Sequence, residues 1–493
     1  MTSGPQPLTT AQAIALASHH ERAGKLDSAA AIYHRVLQAE PANHVALHGL
    51  GLVAYRREDY RSAAEWINRA ITVNPSESNY HNTLGACQRA MGRPQDAISS
   101  YRKALALRPD NAEAHANMGN ALKDLGSYDE AIASYGRAAA IKPTHAIHLG
   151  LGNTLLEAGR PGQALAHYRG AIALRPEHAG THFAYSLALL MHGDLLEGWR
   201  EYEWRNESHA RPKGAYRDFS QPKWDGAALE GRRILLYAEQ GFGDALQFIR
   251  YAPLVARRGG CVMVECRPEL KRLFSRISGI ERVVARGESL PEFDVRYALL
   301  SLPLVFQTTL DSIPAQVPYI EADRDAAAAW RKRLAEDAGT KVGIAWSGSA
   351  TGPLNRRKAC PLGEFAPLAR IPGIRCYSLQ KAPAPANDSA AGVPLTDWTG
   401  EFRDFADTAA LLENLTLVIS VDTAIAHLAG AMGKPVWLLL NSEGDWRWLL
   451  DRDDSPWYPT LRIFRQRRRG DWAEVLERVT AALRAFARIG PGS

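Results

Sequence analysis

The sequence predicts an α+α/β protein, in which an all-helical repeat domain precedes a pair of Rossmann-type domains. Prolines recur at intervals of 34, 34, 34 and 33 residues, at Pro41, Pro75, Pro109, Pro143 and Pro176. Such a fixed period indicates a repeat array. After residue 231, short apolar strand-like segments alternate with helical segments, which is typical of parallel sheets flanked by helices. At 493 residues the chain is too long for a single core.

The composition is that of a globular protein outside the disordered and membrane classes. Hydrophobic residues make up 46% and charged residues 23%. A run of about 18 apolar residues, long enough to span a membrane, does not occur. The N-terminus lacks the basic start and apolar core of a signal peptide, so we expect a cytoplasmic protein.

The charge and the cysteine content limit the partners and metal ions that we expect. The net charge of +6 permits an anionic ligand, but the basic residues are dispersed, so we do not expect nucleic acid as a partner. The five cysteines form no close pairs, which argues against disulfides and against zinc.

Each repeat unit has small and large residues at fixed places. A glycine lies 24 residues before the closing proline, and an alanine and a large apolar residue follow it. The glycines are Gly51, Gly85, Gly119 and Gly152; the alanines are Ala63, Ala97, Ala131 and Ala164; the large residues are Tyr33, Ile67, Tyr101, Tyr135 and Tyr168. This pattern resembles the tetratricopeptide repeat over residues 10–176, and a degenerate sixth unit extends the predicted repeat domain to 1–205.

A solenoid of this kind presents a concave surface for a peptide or protein partner. Four asparagines occupy the early helix of successive units: Asn82, Asn117, Asn120 and Asn153. Their amides are predicted to bind the backbone of an extended acceptor. Solvation without a ligand is the alternative, and the sequence leaves the two open.

The remaining chain is predicted to hold a linker at 206–230 and two Rossmann-like halves at 231–325 and 326–493. Predicted strands lie at 234–237, 261–266, around Val295, at the start of KVGIAWSGS and in CYSLQK. A helix is expected at 404–414, and a closing helix at 472–488.

Residues 417–440 read as strand, helix and strand. Asp422 is the predicted helix N-cap, and Gly433 with Pro435 is predicted to end the helix. Thr423 and His427 place polar groups on its first turns. The helix is either a crossover helix or an anion-binding helix whose N-terminus holds a phosphate.

Four segments carry a family resemblance: LLYAEQGFGDALQFIRY, GIAWSGS, SLQK and VISVDTAIAHLAGAMGKPVWLLL. In this order they resemble glycosyltransferase family nine, the bacterial heptosyltransferases. The whole chain is similar to bacterial proteins that join such a domain to tetratricopeptide repeats, including flagellin-modifying glycosyltransferases. The resemblance implies a GT-B fold over residues 231–490, with the acceptor at the N-terminal half and a nucleotide-sugar at the C-terminal half.

The resemblance also implies roles for single residues. Gly241 and Gly243 form a loop on the acceptor side, and Asp244 maps onto the proposed general base of the heptosyltransferases. Asp244 is also placed to cap a helix, and the two roles are compatible.

On the donor side we expect Ser347, Lys381, Asp422, Thr423 and His427 to bind the nucleotide-sugar. A DxD motif at a strand end is absent from the sequence, so we expect neither a metal nor a cofactor besides this co-substrate. Ala424 replaces a glycine found in many family members, which crowds the helix start by one methyl group.

The sequence therefore predicts an inverting, metal-independent protein O-glycosyltransferase, whose repeats bind an acceptor protein such as flagellin. Two alternatives remain. One is a lipopolysaccharide-type heptosyltransferase with an accessory repeat domain, and the other is a non-catalytic repeat scaffold that has lost turnover.

Overall fold

The computed structural model describes residues 8–207, 219–348, 358–381 and 392–489. Two compact units make up the chain, Met1–Thr181 and His182–Ser493. The division between them lies within one helix, Ala179–His192. Among the described residues, no helix is both long and apolar enough to cross a membrane.

The first unit consists of helices joined by short turns. They are α1 (Thr10–Arg22), α2 (Leu26–Ala39), α3 (His44–Arg56), α4 (Tyr60–Val73), α5 (Ser78–Ala90), α6 (Pro94–Leu107), α7 (Ala112–Asp124), α8 (Tyr128–Ile141), α9 (His145–Glu157), α10 (Pro161–Leu174) and the start of α11 (Ala179–His192). Consecutive helices pack as pairs, and each pair packs on the next. The predicted repeat solenoid is confirmed.

The repeated glycines explain this packing. A β-carbon added to Gly119 would lie 2.6 Å from the ring of Tyr135, and one added to Gly85 would lie 2.6 Å from Tyr101. The first helix of a pair can therefore approach the second only where it lacks a side chain. The predicted alanines are fully buried as well, with Ala97 and Ala131 at 0% exposure.

The second unit contains two parallel sheets. The strands of the first are β1 (Arg233–Tyr237), β2 (Cys261–Cys266), β3 (Arg282–Ala285) and β4 (Val295–Ala298), in the order β3-β2-β1-β4. The strands of the second are β5 (Thr340–Ala345), β6 (Ile374–Ser378), β7 (Leu417–Val421), β8 (Val436–Leu440) and β9 (Leu461–Arg465), in the order β6-β5-β7-β8-β9. All pairings within them are parallel, as the predicted fold class requires.

Helices flank both sheets. They are α12 (Leu195–Tyr202), α13 (Phe242–Phe248), α14 (Ala252–Ala256), α15 (Pro268–Phe274), α16 (Leu302–Val305), α17 (Arg324–Arg333), α18 (Ala366–Ala369), α19 (Phe405–Leu412), α20 (Ala424–Ala431) and α21 (Trp472–Ile489). The closing helix α21 buries Val475, Val479 and Leu483 in a cluster with β5 and β7 residues, which forms the core of the second sheet.

Helix α12 belongs to the second unit. The indole Nε1 of Trp199 donates to the carbonyl of Thr308 at 3.0 Å, and its ring lies edge-on to Trp446 with centroids 5.4 Å apart. The compact unit therefore begins before the predicted boundary at 205. The predicted linker at 206–230 and the division at 325 stay predictions; residues 208–218 lie outside the described part of the chain.

Substituting Gly119 should destabilise the repeat array. We expect Gly119→Ala to lower the free energy of unfolding by about 1–3 kcal/mol, because the added methyl group overpacks the ring of Tyr135. Gly136→Ala in α8 is the matched control, since nothing lies within 4 Å of its added β-carbon. It should leave stability unchanged or raise it through helix propensity. Chemical unfolding followed by circular dichroism measures both, and equal effects would contradict this packing.

Candidate functional site

The start of α20 differs from the predicted cap by one residue. Thr423, not Asp422, is the N-cap, and its hydroxyl accepts the amide of Ile425 at 3.3 Å. The prediction that Asp422 caps the helix is wrong because Thr423 still has extended backbone angles and its own side chain reaches the free amide. At the other end, Gly433 adopts φ +71°, the left-handed stop that the sequence predicted.

Asp422 is free for another role and pairs with a lysine. The Nζ of Lys358 contacts the carboxylate of Asp422 and lies 3.4 Å from that of Asp445. Burial opposes the charge of Lys358, but the two carboxylates outweigh it and raise the pKa of Lys358. The lysine therefore stays protonated at the start of α20.

The GFGD loop lies directly against α20. A β-carbon added to Gly243 would lie 2.8 Å from Cδ2 of His427, so only glycine allows this approach. Gly241 is the N-cap of α13, and its amide donates to Oδ2 of Asp244 at 2.9 Å. Asp244 thus caps the helix, as one of its two proposed roles requires, while its other oxygen faces Arg447.

Arg447 links the groups named above. Its guanidinium pairs with Asp244, lies 2.9 Å from Asp445, and donates from Nε to the side chain of Gln247 at 3.0 Å. Burial by itself would raise the pKa of Asp445, but the charges of Arg447 and Lys358 outweigh burial and hold that pKa well below its ordinary value. Five charged groups therefore alternate in sign from Asp244 through Arg447, Asp445 and Lys358 to Asp422.

His427 is neutral within this cluster. Burial lowers its pKa to about 4, although the nearby carboxylate of Asp422 favours protonation. Its Nδ1 lies 2.9 Å from the hydroxyl of Tyr458, its ring stacks on Trp448, and its Nε2 lies 4.0 Å from Asp422. The imidazole thus packs between the GFGD loop on one side and Trp448 and Tyr458 on the other.

The tryptophans after β8 pack inward. Trp446, Trp448 and Trp457 are 5%, 0% and 2% exposed. Their faces are covered by protein, so they hold the loop in place and leave no ring face for a sugar or base. This is the packing role that loop tryptophans usually have.

Two predicted donor residues lie at the ends of neighbouring strands. After β5, the amide of Ser347 donates to the side chain of Gln380 at 3.0 Å, and Gly348 lies next to Thr423. Lys381 follows β6 and its ammonium donates to the carbonyl of Phe402. Ser347 therefore lies near the start of α20, whereas Lys381 has a backbone partner of its own.

The four asparagines of the repeats already have partners within the first unit. Asn120 and Asn153 accept the hydroxyls of Tyr135 and Tyr168 at 2.6 and 2.8 Å. Asn117 donates to Asn82 at 3.0 Å. Asn82 in turn donates to Glu113 at 3.1 Å. Their role in binding an acceptor stays a prediction, and any such role has to use the amide atoms that remain.

Sequence reasoning did not find Arg447 and Asp445, and it did not predict that Lys358 pairs with Asp422. Lys358 lies two residues before the buried Cys360, which by itself does not indicate a functional lysine. Arg447 lies on a 3₁₀ turn in an irregular loop, and its partner Asp244 is 203 residues away in sequence. A contact between residues so far apart in the sequence cannot be predicted from a local pattern.

Chemically, the site offers the carboxylate of Asp244 close to the start of α20, where the partly buried Lys358 supplies a positive charge. Such an arrangement suits transfer from an activated anionic donor to a hydroxyl group. Within the described residues, no group of three or more histidine, cysteine or acidic side chains is arranged to hold a metal ion.

Family models match both parts of the chain. The model of glycosyltransferase family 9 (heptosyltransferase) matches residues 396–443, which include α19, β7, α20 and β8. Tetratricopeptide-repeat models match residues 88–126, 112–145 and 149–198. The chain thus joins tetratricopeptide repeats to a C-terminal region that matches glycosyltransferase family 9.

Among particular proteins, the chain is similar to Protein FlbA of Caulobacter vibrioides. It is 28% identical over 332 residues, which cover 62% of this chain and 55% of FlbA. The chain therefore spans about half the length of this curated relative.

Two solved structures align with part of the chain. TTC0263, a tetratricopeptide-repeat protein of Thermus thermophilus, has a TM-score of 0.33 and 24% identity, and the match covers 37% of this chain and 100% of TTC0263. PilW, a type IV pilus biogenesis factor, has a TM-score of 0.39 and 20% identity, and the match covers 41% of this chain and 95% of PilW.

The buried imidazole should make stability depend on pH. The unfolded chain binds this proton near pH 6.5, but folded His427 binds it only near pH 4, so the free energy of unfolding falls as the pH drops through this window. By pH 5 the loss from His427 amounts to roughly 2 kcal/mol. His427→Gln should remove this part of the loss between pH 7 and pH 5 in urea unfolding. An unchanged pH dependence in the variant would contradict a buried neutral histidine.

Proposed function

We propose that this protein is an inverting, metal-independent glycosyltransferase that moves a sugar from a nucleotide donor to a hydroxyl group of an acceptor protein. Asp244 is the general base, and the start of α20 with Thr423, Asp422 and His427 faces the donor. The observation that carries this proposal is the packing of Gly243 on His427, which brings the GFGD loop against the helix of the family 9 region.

The position of Lys358 supports a donor with a negatively charged leaving group. The leaving nucleotide gains charge as the sugar departs, and a protonated lysine at a helix N-terminus stabilises that charge. Lys358 is at present shared by Asp422 and Asp445. A phosphate would therefore exchange places with one carboxylate. The remaining proposed donor residues are Ser347, which follows β5, and Lys381, which follows β6.

The repeats support a protein as the acceptor. The concave surface of a helical solenoid suits an extended polypeptide, and we propose that the first unit binds the acceptor protein. Flagellin is the candidate acceptor, from the resemblance to flagellin-modifying enzymes. A lipopolysaccharide acceptor would not need a peptide-binding surface.

A non-catalytic scaffold is the second candidate, and the charge pattern favours it in one respect. Three carboxylates, Asp244, Asp422 and Asp445, already neutralise both Lys358 and Arg447. In a scaffold these pairs would be permanent, whereas in an enzyme they would have to open for the donor.

Intact-mass spectrometry of flagellin and of co-purifying proteins separates these functions. Cells with the wild-type gene should show a protein heavier by a sugar mass, and Asp244→Asn should abolish the shift while keeping the cap to Gly241. Asp323→Asn is the matched control, because Asp323 caps α17 at 2.9 Å from the amide of Ala326 and asparagine caps as well. It should leave the shift in place.

A shift that persists in Asp244→Asn would refute this role for Asp244. A wild-type strain in which no protein gains mass would refute protein glycosylation. Sugar incorporation into a saccharide lipid in that strain would favour the lipopolysaccharide alternative, and no incorporation anywhere would favour the scaffold.

A further inference from the structure

The loop at 441–455, which follows β8, carries Arg447, and this side chain reaches Asp244 on α13. Arg447 is 12% exposed at its side chain and forms hydrogen bonds or ion pairs with three side chains, those of Asp244, Gln247 and Asp445. Asp244 and Gln247 lie on α13 of the first sheet, and Asp445 lies in the same loop as Arg447. The arginine therefore joins the two sheets at the place where Asp244 lies.

The carboxylate of Asp244 is fixed by two donors. Oδ2 accepts the amide of Gly241 at 2.9 Å, and Oδ1 accepts Arg447. Donors from two separate elements hold the plane of the carboxylate, while each oxygen keeps a second lone pair for a further hydrogen bond. Without Arg447, the Oδ1 end would have no described donor to orient it.

Arg447 is held rigidly in turn. Its guanidinium carbon lies 4.2 Å from the ring centroid of Trp446, and its Nη1 lies 2.9 Å from Asp445. Two non-glycine residues that follow have positive φ, Leu449 at 51° and Asp451 at 53°. Arg465 donates to the carbonyl of Leu449 at 2.7 Å. Strained backbone of this kind persists only where its surroundings enforce it, so this contact fixes the chain two residues after Arg447.

We propose that Arg447 is a positioning residue, which holds the carboxylate of Asp244 in the orientation that receives the proton of the acceptor hydroxyl. This inference rests on the proposed function, in which Asp244 is the base. The acceptor O–H bond breaks and its proton moves to Asp244, the oxygen bonds to the anomeric carbon, and the nucleotide leaves with the electron pair of the C–O bond.

The chemistry of the guanidinium suits this role. Arginine cannot give up its proton in a protein, so Arg447 remains a donor while Asp244 takes up a proton. Asp445 shares the guanidinium, which divides its attraction between two carboxylates. Arg447 thus orients Asp244 while it also pairs with Asp445.

The first test measures nucleotide release from a panel of nucleotide-sugars by the full-length protein, with flagellin present as the acceptor whose hydroxyl gives up the proton. Arg447→Ala should lower kcat by about 100-fold, the usual cost of misplacing a reacting group by about 1 Å, with little change in KM for the donor. Arg447→Lys should recover only part of the loss, and added guanidinium ion should restore turnover to Arg447→Ala but not to Asp244→Asn. Arg452→Ala is the matched control, since Arg452 pairs with Asp454 in the same loop. It should keep the wild-type rate.

A double-mutant cycle completes the test. If Arg447 acts through Asp244, Arg447→Ala should cost little more in a chain that already carries Asp244→Asn. Losses that multiply would overturn the inference. A rise in turnover with Arg447→Ala would also overturn it, because it would mean that the arginine masks the base.

Thermal unfolding is measured for the four proteins of the cycle: the wild type, Arg447→Ala, Asp244→Asn and the double variant. It tests the contact between Arg447 and Asp244 independently of the proposed function. A wild type that releases no nucleotide from any donor would refute the proposed function. The unfolding midpoints then test whether Arg447 holds Asp244. A shift in the double variant that differs from the sum of the two single shifts supports this contact, and a shift equal to that sum overturns it.

Discussion

The close packing of α13 on α20 is the contact on which the site depends. Gly243 lies so near the ring of His427 that a single methyl group would not fit between them. Because α13 follows β1 and α20 follows β7, this contact joins the carboxyl edges of the two parallel sheets, where α/β proteins bind their ligands. The GFGD loop, the Asp422–Thr423 turn and the loop at 441–455 meet there as a consequence.

Burial makes the charged groups of this site interdependent. Lys358 and Arg447 each lie between two carboxylates, so removing either cation would leave a largely buried carboxylate without its ion pair. His427 avoids this cost by staying neutral and by hydrogen bonding to Tyr458. The packed aromatic residues around Trp446 and Trp199 are buried and hold the loop that supplies Arg447. Since Trp199 lies on α12, a cut at residue 205 would remove part of this support.

The sequence predicted much of the fold because strong local patterns report it. The period of the repeats predicted the helical array of the first unit, and apolar runs predicted β2 with its observed bounds and the two strands within residues 417–440. The four-residue strand β3 and the partly exposed strand β9 were missed, since neither has a long apolar run. In the candidate site, Asp244, Thr423 and His427 were predicted from motifs, and the structure brings them close together. Arg447, Asp445 and the pairing of Lys358 arise from tertiary contacts between distant segments, which no local pattern encodes.

A structure of the full chain with a bound nucleoside diphosphate tests the proposed donor site most directly. We expect diphosphate oxygens within hydrogen-bond distance of the backbone amides at the start of α20 and of the Nζ of Lys358, with Asp422 released from that lysine. The same structure would assign Lys381, which now donates to Phe402, to the donor or to the fold. A diphosphate bound elsewhere, with Lys358 still paired to Asp422, would contradict this donor site.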